Sequence, residues 1–303
     1  MMGRQVAQRE RYELIDLEEF VPREHLLRAV DRYLDLTELR AHLANSYSHM
    51  WRPPVDPELM IRMLIIGYCY GIRSERRLCE EVHLDLAYRW FCHLSLHDKV
   101  PDHSTFSKNR HGRFRDSDAF RQLFESVLRR CMAEGLVEGE GFAMDASIVK
   151  ADAQRQRAVS GSRSFDWGDP AHATRPIREY LSALDKAEAP ESPRKSISLT
   201  DPASTWTAIG GPAIFAYSTN YLVDLKAGII MDVEASSANK SAEVSATMRM
   251  IERVEQTFAM KPQRLVSDTS YGSAAMLGWL IEQKQITPHG TGHDKNRGLS
   301  AIA

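Results

Sequence analysis

The chain has 303 residues, 43% hydrophobic and 26% charged, with a formal net charge of −2, which is an ordinary globular composition with room for about two domains. That charge excludes a uniformly basic nucleic-acid-coating protein, so any basic surface has to be local. The four cysteines, Cys69, Cys79, Cys92 and Cys131, form no close pair and no ligand-like cluster. They predict core or near-core thiols in a reducing compartment and exclude a disulfide framework or a thiolate zinc site.

The opening stretch MMGRQVAQRERYELIDLEEF lacks the apolar core of a signal peptide. LIIGYCYG at 64–71 is too short to span a bilayer. A cytoplasmic protein with no membrane partner is the expectation. Residues 1–137 read as one helical domain. FVPREHLLRAVDRYLDLTELRAHL predicts two short helices with leucines on repeating faces. In VDPELMIRMLIIGYCYG, Asp56 is the expected N-cap and Pro57 the first helical residue, with Gly71 near the end. Helices are then expected from Ser74 to about His83 and over Leu86 to Leu94, with Trp90 and Phe91 packed inward. After Val100-Pro101, the stretch DHSTFSKNRHGRF opens another helix, capped by Asp102 or Ser104.

From Lys99 to Arg130 there are eight Lys or Arg against four acids. STFSKNRHGRF puts small hydroxyls first and cations after, a pattern that suits a helix set against a phosphate backbone. Ser104, Thr105, Lys108, Arg110 and Arg113 are the candidate DNA contacts. A solvated helical face gives the same pattern, and the residues alone leave both readings open.

Residues 138–303 have a different texture, interrupted by a long irregular insertion at about 153–212 that carries one short helix, TRPIREYLSALDKA. GFAMDAS predicts a strand. AIFAYSTNYLVD (213–224) and GIIMDVEAS (228–236) predict a hairpin across LKAG. SAEVSATMRMIERVEQTFA predicts a helix with Ser241 as cap and Val244, Met248, Ile251 and Val254 on one face. RLVSDTSY is a short strand, SAAMLGWLIEQK a helix and QITPH a last strand. The alternation predicts an α/β fold with parallel strands joined by right-handed crossovers, covered and apolar except at their functional ends.

Asp145 and Asp268 each end a short hydrophobic run, 123 residues apart. On neighbouring strands two such carboxylates would repel, and a divalent cation with oxygen ligands resolves the conflict. Each would equally serve as a cap for the loop that follows it. Spacing alone does not choose.

Six segments, in this order, carry a resemblance: PVDPELMIRMLIIGYCYGIRSERRLCEEVHLDLAYRWFCHL, VPDHSTFSKNRHGRF, GFAMDASIVKADA, DPASTWTAIG, FAYSTNYLVDLKAGIIMDVEAS and RLVSDTSYGSAAMLGWL. Together, over about residues 50–285, they resemble the DDE-class transposases of bacterial insertion sequences. The resemblance implies a ribonuclease-H-like mixed sheet preceded by an all-helical domain that engages the terminal inverted repeats of an element. It implies Asp145 and Asp268 as catalytic ligands of Mg2+ or Mn2+, and cleavage and strand transfer on double-stranded DNA, both element ends and target, by a homo-oligomer. It also implies a third carboxylate, a Glu on a later helix. Glu282 falls in the preceding helix and Asp294 in the polar tail HGTGHDKNRGLSAIA, so the chain reads as a shortened copy. A binding-only end-recognition protein or inhibitor, and a structure-specific nuclease of the same fold, are the alternative functions. Asp201, Trp206, Tyr217, Asn220, Lys240 and His289 carry no assigned role: Trp206 would stack on a base or fold over the core, Tyr217 and Asn220 would face a crevice or bond to neighbouring loops, and Lys240 would contact phosphate or solvent.

Overall fold

The computed structural model describes residues 16–43, 55–114, 117–161, 166–169, 172–186, 194–208, 211–268 and 271–291. The chain divides into two compact units, Met1–Arg129 and Arg130–Ala303. An N-terminal, mostly helical region precedes a mixed α/β region with an open sheet.

The first unit is built from α1 (Leu17–Phe20), α2 (Leu26–Tyr33), α3 (Thr37–Leu43), α4 (Pro57–Cys69), α5 (Glu75–Leu84), α6 (Leu86–Phe91), α7 (His103–Asn109), a π turn (Arg110–Phe114) and the start of α8 (Ala119–Ala133). Local chemistry fixes where these helices begin. Asp56 accepts a hydrogen bond from the Glu58 amide at 2.9 Å, with Pro57 behind it. Ser74 accepts from Arg77, and Asp102 from Ser104; each satisfies an amide that the helix itself cannot. Helix α4 is apolar on nearly every side because it is central. Met60, Ile61, Met63, Leu64 and Ile66 are buried among Leu27, Leu43, Val82, Phe91 and Phe106.

Two corrections arise here. Helix α6 ends at Phe91 rather than Leu94, and Trp90 is half-buried, with the Arg28 guanidinium 4.5 Å above its ring. Cys79 and Cys92 are buried, Cys131 is half-buried, but Cys69 is exposed, because it closes the last turn of α4, past the helix's buried stretch.

Arg89 is the least expected core residue, 2% exposed. Its guanidinium donates to the carbonyl oxygens of His83, Ser95 and Asp98, fastening the loop after α6 to the end of α5. The charge is thus buried among backbone dipoles, and the Ser95 carbonyl also accepts from the Asp98 amide at 3.2 Å. Arg89→Leu is expected to lower the unfolding free energy by about 3–4 kcal/mol, read by urea titration, because three carbonyls lose a charged donor.

The second unit contains β1 (Gly141–Lys150), β2 (Ala158–Ser160), α9 (Arg175–Lys186), β3 (Ser196–Ser198), β4 (Thr205–Thr207), β5 (Ile214–Asp224), β6 (Ile230–Ser237), α10 (Lys240–Phe258), β7 (Arg264–Asp268), α11 (Ala274–Gly278) with a π turn at Trp279–Lys284, and β8 (Thr287–Thr291). The main sheet runs β6-β5-β1-β7-β8, and β4 extends the β5 edge. β5 is antiparallel to β1 and β6; β1, β7 and β8 are parallel. The expected hairpin is present: Gly228 adopts φ +68 in its turn, a conformation that favours glycine.

The strands are not apolar throughout. On β1, Phe142 and Met144 are buried while Ala143 is half-buried and Asp145 exposed; on β5, Ser218, Asn220, Leu222 and Asp224 are buried while their neighbours are half-buried. This period of two marks a sheet with one fully covered face. Helix α10 lies on that face, packing on β5 and β6. Its cap is Asn239, which accepts from the Ala242 amide at 2.9 Å, and its buried stripe is Ala246, Thr247, Met250, Ile251 and Val254. The expected cap Ser241 lies inside the helix, and Val244 and Met248 are only half-buried, because helix entry is set two residues earlier.

The insertion is more ordered than its composition predicts. β2 and β3 form a two-stranded sheet, and β4 joins the main one. Gly161 sits where a Cβ would lie 1.8 Å from the Arg194 carbonyl oxygen, so only glycine allows this approach. A cavity of about 650 Å³ lies between α9 and the sheet, lined in part by Tyr180, Arg194, Asp201 and Tyr217. Its polar groups already bond to one another or to backbone: Tyr217 Oη donates to Asp201 Oδ1 at 2.6 Å, and Arg194 donates to the Pro202 carbonyl.

Candidate functional site

β1 and β7 are paired in parallel, Phe142 opposite Leu265 and Ala143 opposite Val266. Asp145 and Asp268 each lie two residues beyond the last pair of these two strands; there Asp145 is opposite Tyr221 of β5 and Asp268 opposite Thr291 of β8. Both aspartates are exposed. Both carboxylates contribute to the negative potential at the Tyr271 phenol, so the two strand ends face a common neighbour. Asp145 Oδ1 accepts from its own neighbour, the Ala146 amide, at 2.8 Å. β1 continues to Lys150, beyond Ala143, its last residue paired with β7, and this forms a step in the sheet.

Tyr271, just after β7, is buried (5% exposed) next to this step. Burial pushes its phenol pKa up, and the negative potentials of Glu243, Asp268 and Asp145 push it further in the same direction. One phenol therefore senses three carboxylates. Glu243 was not singled out from the sequence, where it reads as an ordinary first-turn acid of a helix. It accepts a hydrogen bond from Ser218 on the buried face of β5, a contact with no signature in the residue pattern. Among the described residues, no group of three or more His, Cys, Asp and Glu is placed to hold a metal ion.

The other carboxylates of the sheet are structural. Asp224 is fully buried and accepts from the amides of Glu138, Gly139 and Lys226. Asp232 is buried and paired with Arg253 at 2.7 Å, which also reaches Glu234. Those two hydrogen bonds and the two negative charges hold the Arg253 pKa above its ordinary value, against the lowering effect of its own burial. Glu282 is exposed in the π turn after α11, and Asp294 lies outside the described residues.

The basic segment is placed less simply than its sequence suggests. Ser104 is exposed, but its hydroxyl donates to Asp102 Oδ1 at 2.6 Å, within the helix cap. Thr105 is half-buried, its carbonyl accepting from Asn109. Lys108 is exposed to solvent. Arg110 is paired with Glu75 at 3.1 Å and donates to the Tyr68 hydroxyl at 3.1 Å. Arg113 lies in the π turn, and its side chain is outside the described part of the structure.

The residues left without a role from the sequence are accounted for by packing. Trp206 packs against Phe215 with ring centroids 4.8 Å apart and planes tilted by 59°, and the Arg155 guanidinium lies 5.2 Å over its ring, so it folds over the sheet. Asn220 donates to the Glu234 carbonyl and to Ser236 Oγ, and Tyr217 to Asp201, so both bond to neighbours. Lys240 and His289 are exposed. Among the described residues, no helix is long and apolar enough to cross a membrane.

A family model described as "Transposase domain (DUF772)" matches residues 15–112, which is less than half of the chain. A solved structure described as "Mos1 transposase paired-end complex with left transposon end" aligns at 10% identity over 91% of this chain and 71% of that one, with a TM-score of 0.25, too loose a superposition to define a shared fold. No curated protein sequence matches. The helical region of this chain is thus similar, over residues 15–112, to a transposase domain family.

Proposed function

We propose that this chain is a DDE-type transposase whose residues 1–137 contact duplex DNA and whose residues 138–303 form a ribonuclease-H-like domain carrying Asp145 and Asp268 as metal-binding carboxylates. The observation that carries this reading is that both aspartates are exposed and lie two residues beyond the last paired residues of the adjacent parallel strands β1 and β7. The family match over the helical region supports it, and the open mixed sheet of order β6-β5-β1-β7-β8 is compatible with a ribonuclease-H-like fold. Two hard carboxylate oxygens suit Mg2+ or Mn2+. An ion of that kind, once bound, neutralises the pair and polarises a phosphodiester or its attacking nucleophile. The chain's own part is to hold both carboxylates at a solvent-open step beside a buried, protonated phenol. Transposon-end DNA, target DNA and a second copy of the chain are the partners this reading calls for.

A binding-only protein is the second reading, favoured by the lack of a three-ligand group among the described residues. One experiment separates them. Supercoiled plasmid is incubated with the purified chain and Mg2+ or Mn2+, and nicked circles are quantified beside a gel-shift of the same DNA. Nicking that depends on the divalent ion is the expected result. DNA retention without nicking, in Mn2+ as well as Mg2+, would leave the binding-only reading in its place.

A further inference from the structure

Glu75, the first residue of α5, is the meeting point of three donors from α7 and the π turn. Arg110 donates to its Oε1 at 3.1 Å, the His111 imidazole lies 3.2 Å from the same oxygen, and the Ser107 hydroxyl also bonds to the carboxylate. Consecutive residues of a regular α-helix point about 100° apart and do not share a partner. The π turn at Arg110–Phe114 lets Arg110 and His111 converge, and such wide turns recur at functional positions. The carboxylate is 19% exposed, while His111 is 55% exposed, so the cluster opens to solvent. Lys108, next to Ser107 in the chain, is exposed, and Arg76, next to Glu75, contacts His103 at 3.1 Å; the His103 imidazole lies 3.5 Å from the Asp102 carboxylate.

A guanidinium, an imidazole and a hydroxyl aimed at one oxyanion form a donor set that a phosphate also satisfies. We infer that Glu75 occupies an anion site made for a nucleic-acid phosphate and restrains DNA binding by competing for Ser107, Arg110 and His111. This rests on the reading that the helical region contacts duplex DNA. Binding then exchanges one intramolecular carboxylate for an external phosphate, and the cost of that exchange sets the affinity of the free surface.

The test measures anisotropy of a short fluorescein-labelled duplex over a salt series. Glu75→Gln is expected to raise affinity about three- to tenfold at low salt and to steepen the dependence of log K on log salt by about one for each cation newly engaged. Glu81→Gln makes the same charge change on the same helix, where Glu81 pairs with Arg77 at 2.8 Å; an equal gain there would reduce the effect to net charge and overturn the inference. Adding Arg110→Gln to Glu75→Gln should cancel the gain, and a gain that persists also overturns it. If no form of the protein binds duplex, the DNA reading fails by itself. Inorganic pyrophosphate then decides the anion site: tighter binding to Glu75→Gln than to wild type sustains it, and no difference removes it. Should Glu75→Gln not fold, as judged by circular dichroism, histidine NMR of the unmodified chain decides. The His111 imidazole resonances are expected to move on addition of duplex or pyrophosphate, and stationary resonances overturn the inference.

Discussion

Asp145→Asn is expected to lower the Mn2+ affinity of the chain at least about tenfold, and Asp268→Asn to do the same, because under the proposed function each removes one of two negative charges that would hold the ion. Asn keeps the size of the side chain and can still accept from the Ala146 amide, so local structure is preserved at Asp145. Both positions are exposed, which keeps the change in unfolding free energy within about 0.5 kcal/mol. The double variant should bind Mn2+ no better than either single one, since a lone carboxylate does not chelate. Loss of divalent-dependent plasmid nicking should accompany each change if the chain is active. Mn2+ electron paramagnetic resonance titration is the primary measurement, as it needs no turnover. Equal Mn2+ affinity in wild type and double variant would show that the aspartates are loop caps after all.

Asp224→Ala should cost about 3–5 kcal/mol of stability, the largest single loss expected in the sheet region. The reason is arithmetic in hydrogen bonds: the carboxylate accepts from the amides of Glu138, Gly139 and Lys226 from a fully buried position. It therefore ties the entry to β1 onto the β5–β6 hairpin turn. Alanine leaves those amides without their acceptor, and the Gly139 amide loses a fully buried bond. Asp224→Asn, which retains one acceptor oxygen, should lose less. Urea unfolding followed by tryptophan fluorescence and circular dichroism measures both. A loss under about 1 kcal/mol for the alanine variant would mean that water replaces the carboxylate at no great cost.

What the residue pattern revealed was mostly local. Asp56-Pro57, Ser74 and Asp102 announce helix starts because the capping chemistry lies within three residues of the cap. The hairpin was legible from two hydrophobic runs and a glycine turn. Similar positions at two strand ends suggested Asp145 and Asp268 as partners, and β1 and β7 are indeed parallel neighbours, paired up to Ala143 and Val266. Helix α10 was found and its expected face is buried at Ile251 and Val254, whereas Val244 and Met248 continue an apolar stripe that the packing covers only by half. Contacts between distant segments left no trace at all. Nothing in RSERRLCEEV tells that Glu75 meets Arg110 and His111, and nothing in SAEVSATMRM tells that Glu243 reaches Ser218 and the surroundings of Tyr271. Asp224 closes the run AIFAYSTNYLVD, and nothing in that run tells that its carboxylate is fully buried.

The strand order also carries a kinetic consequence. Of the pairings in the main sheet, β5 with β6 is closed by a short turn, whereas central β1 finds its partners far along the chain: Lys150 opposite Ala216, and Gly141 opposite Arg264. The hairpin should therefore be the first piece of sheet to form, with β1 recruited to it later and β7 after that, in the slow regime of non-local topologies. The insertion lies within the loop that β1 must close on β5. Because closure entropy grows only logarithmically, doubling such a loop costs about 0.6 kcal/mol. The long segment between the two strands is thus a small kinetic and thermodynamic burden, and the place where this architecture can most readily accept additional chain.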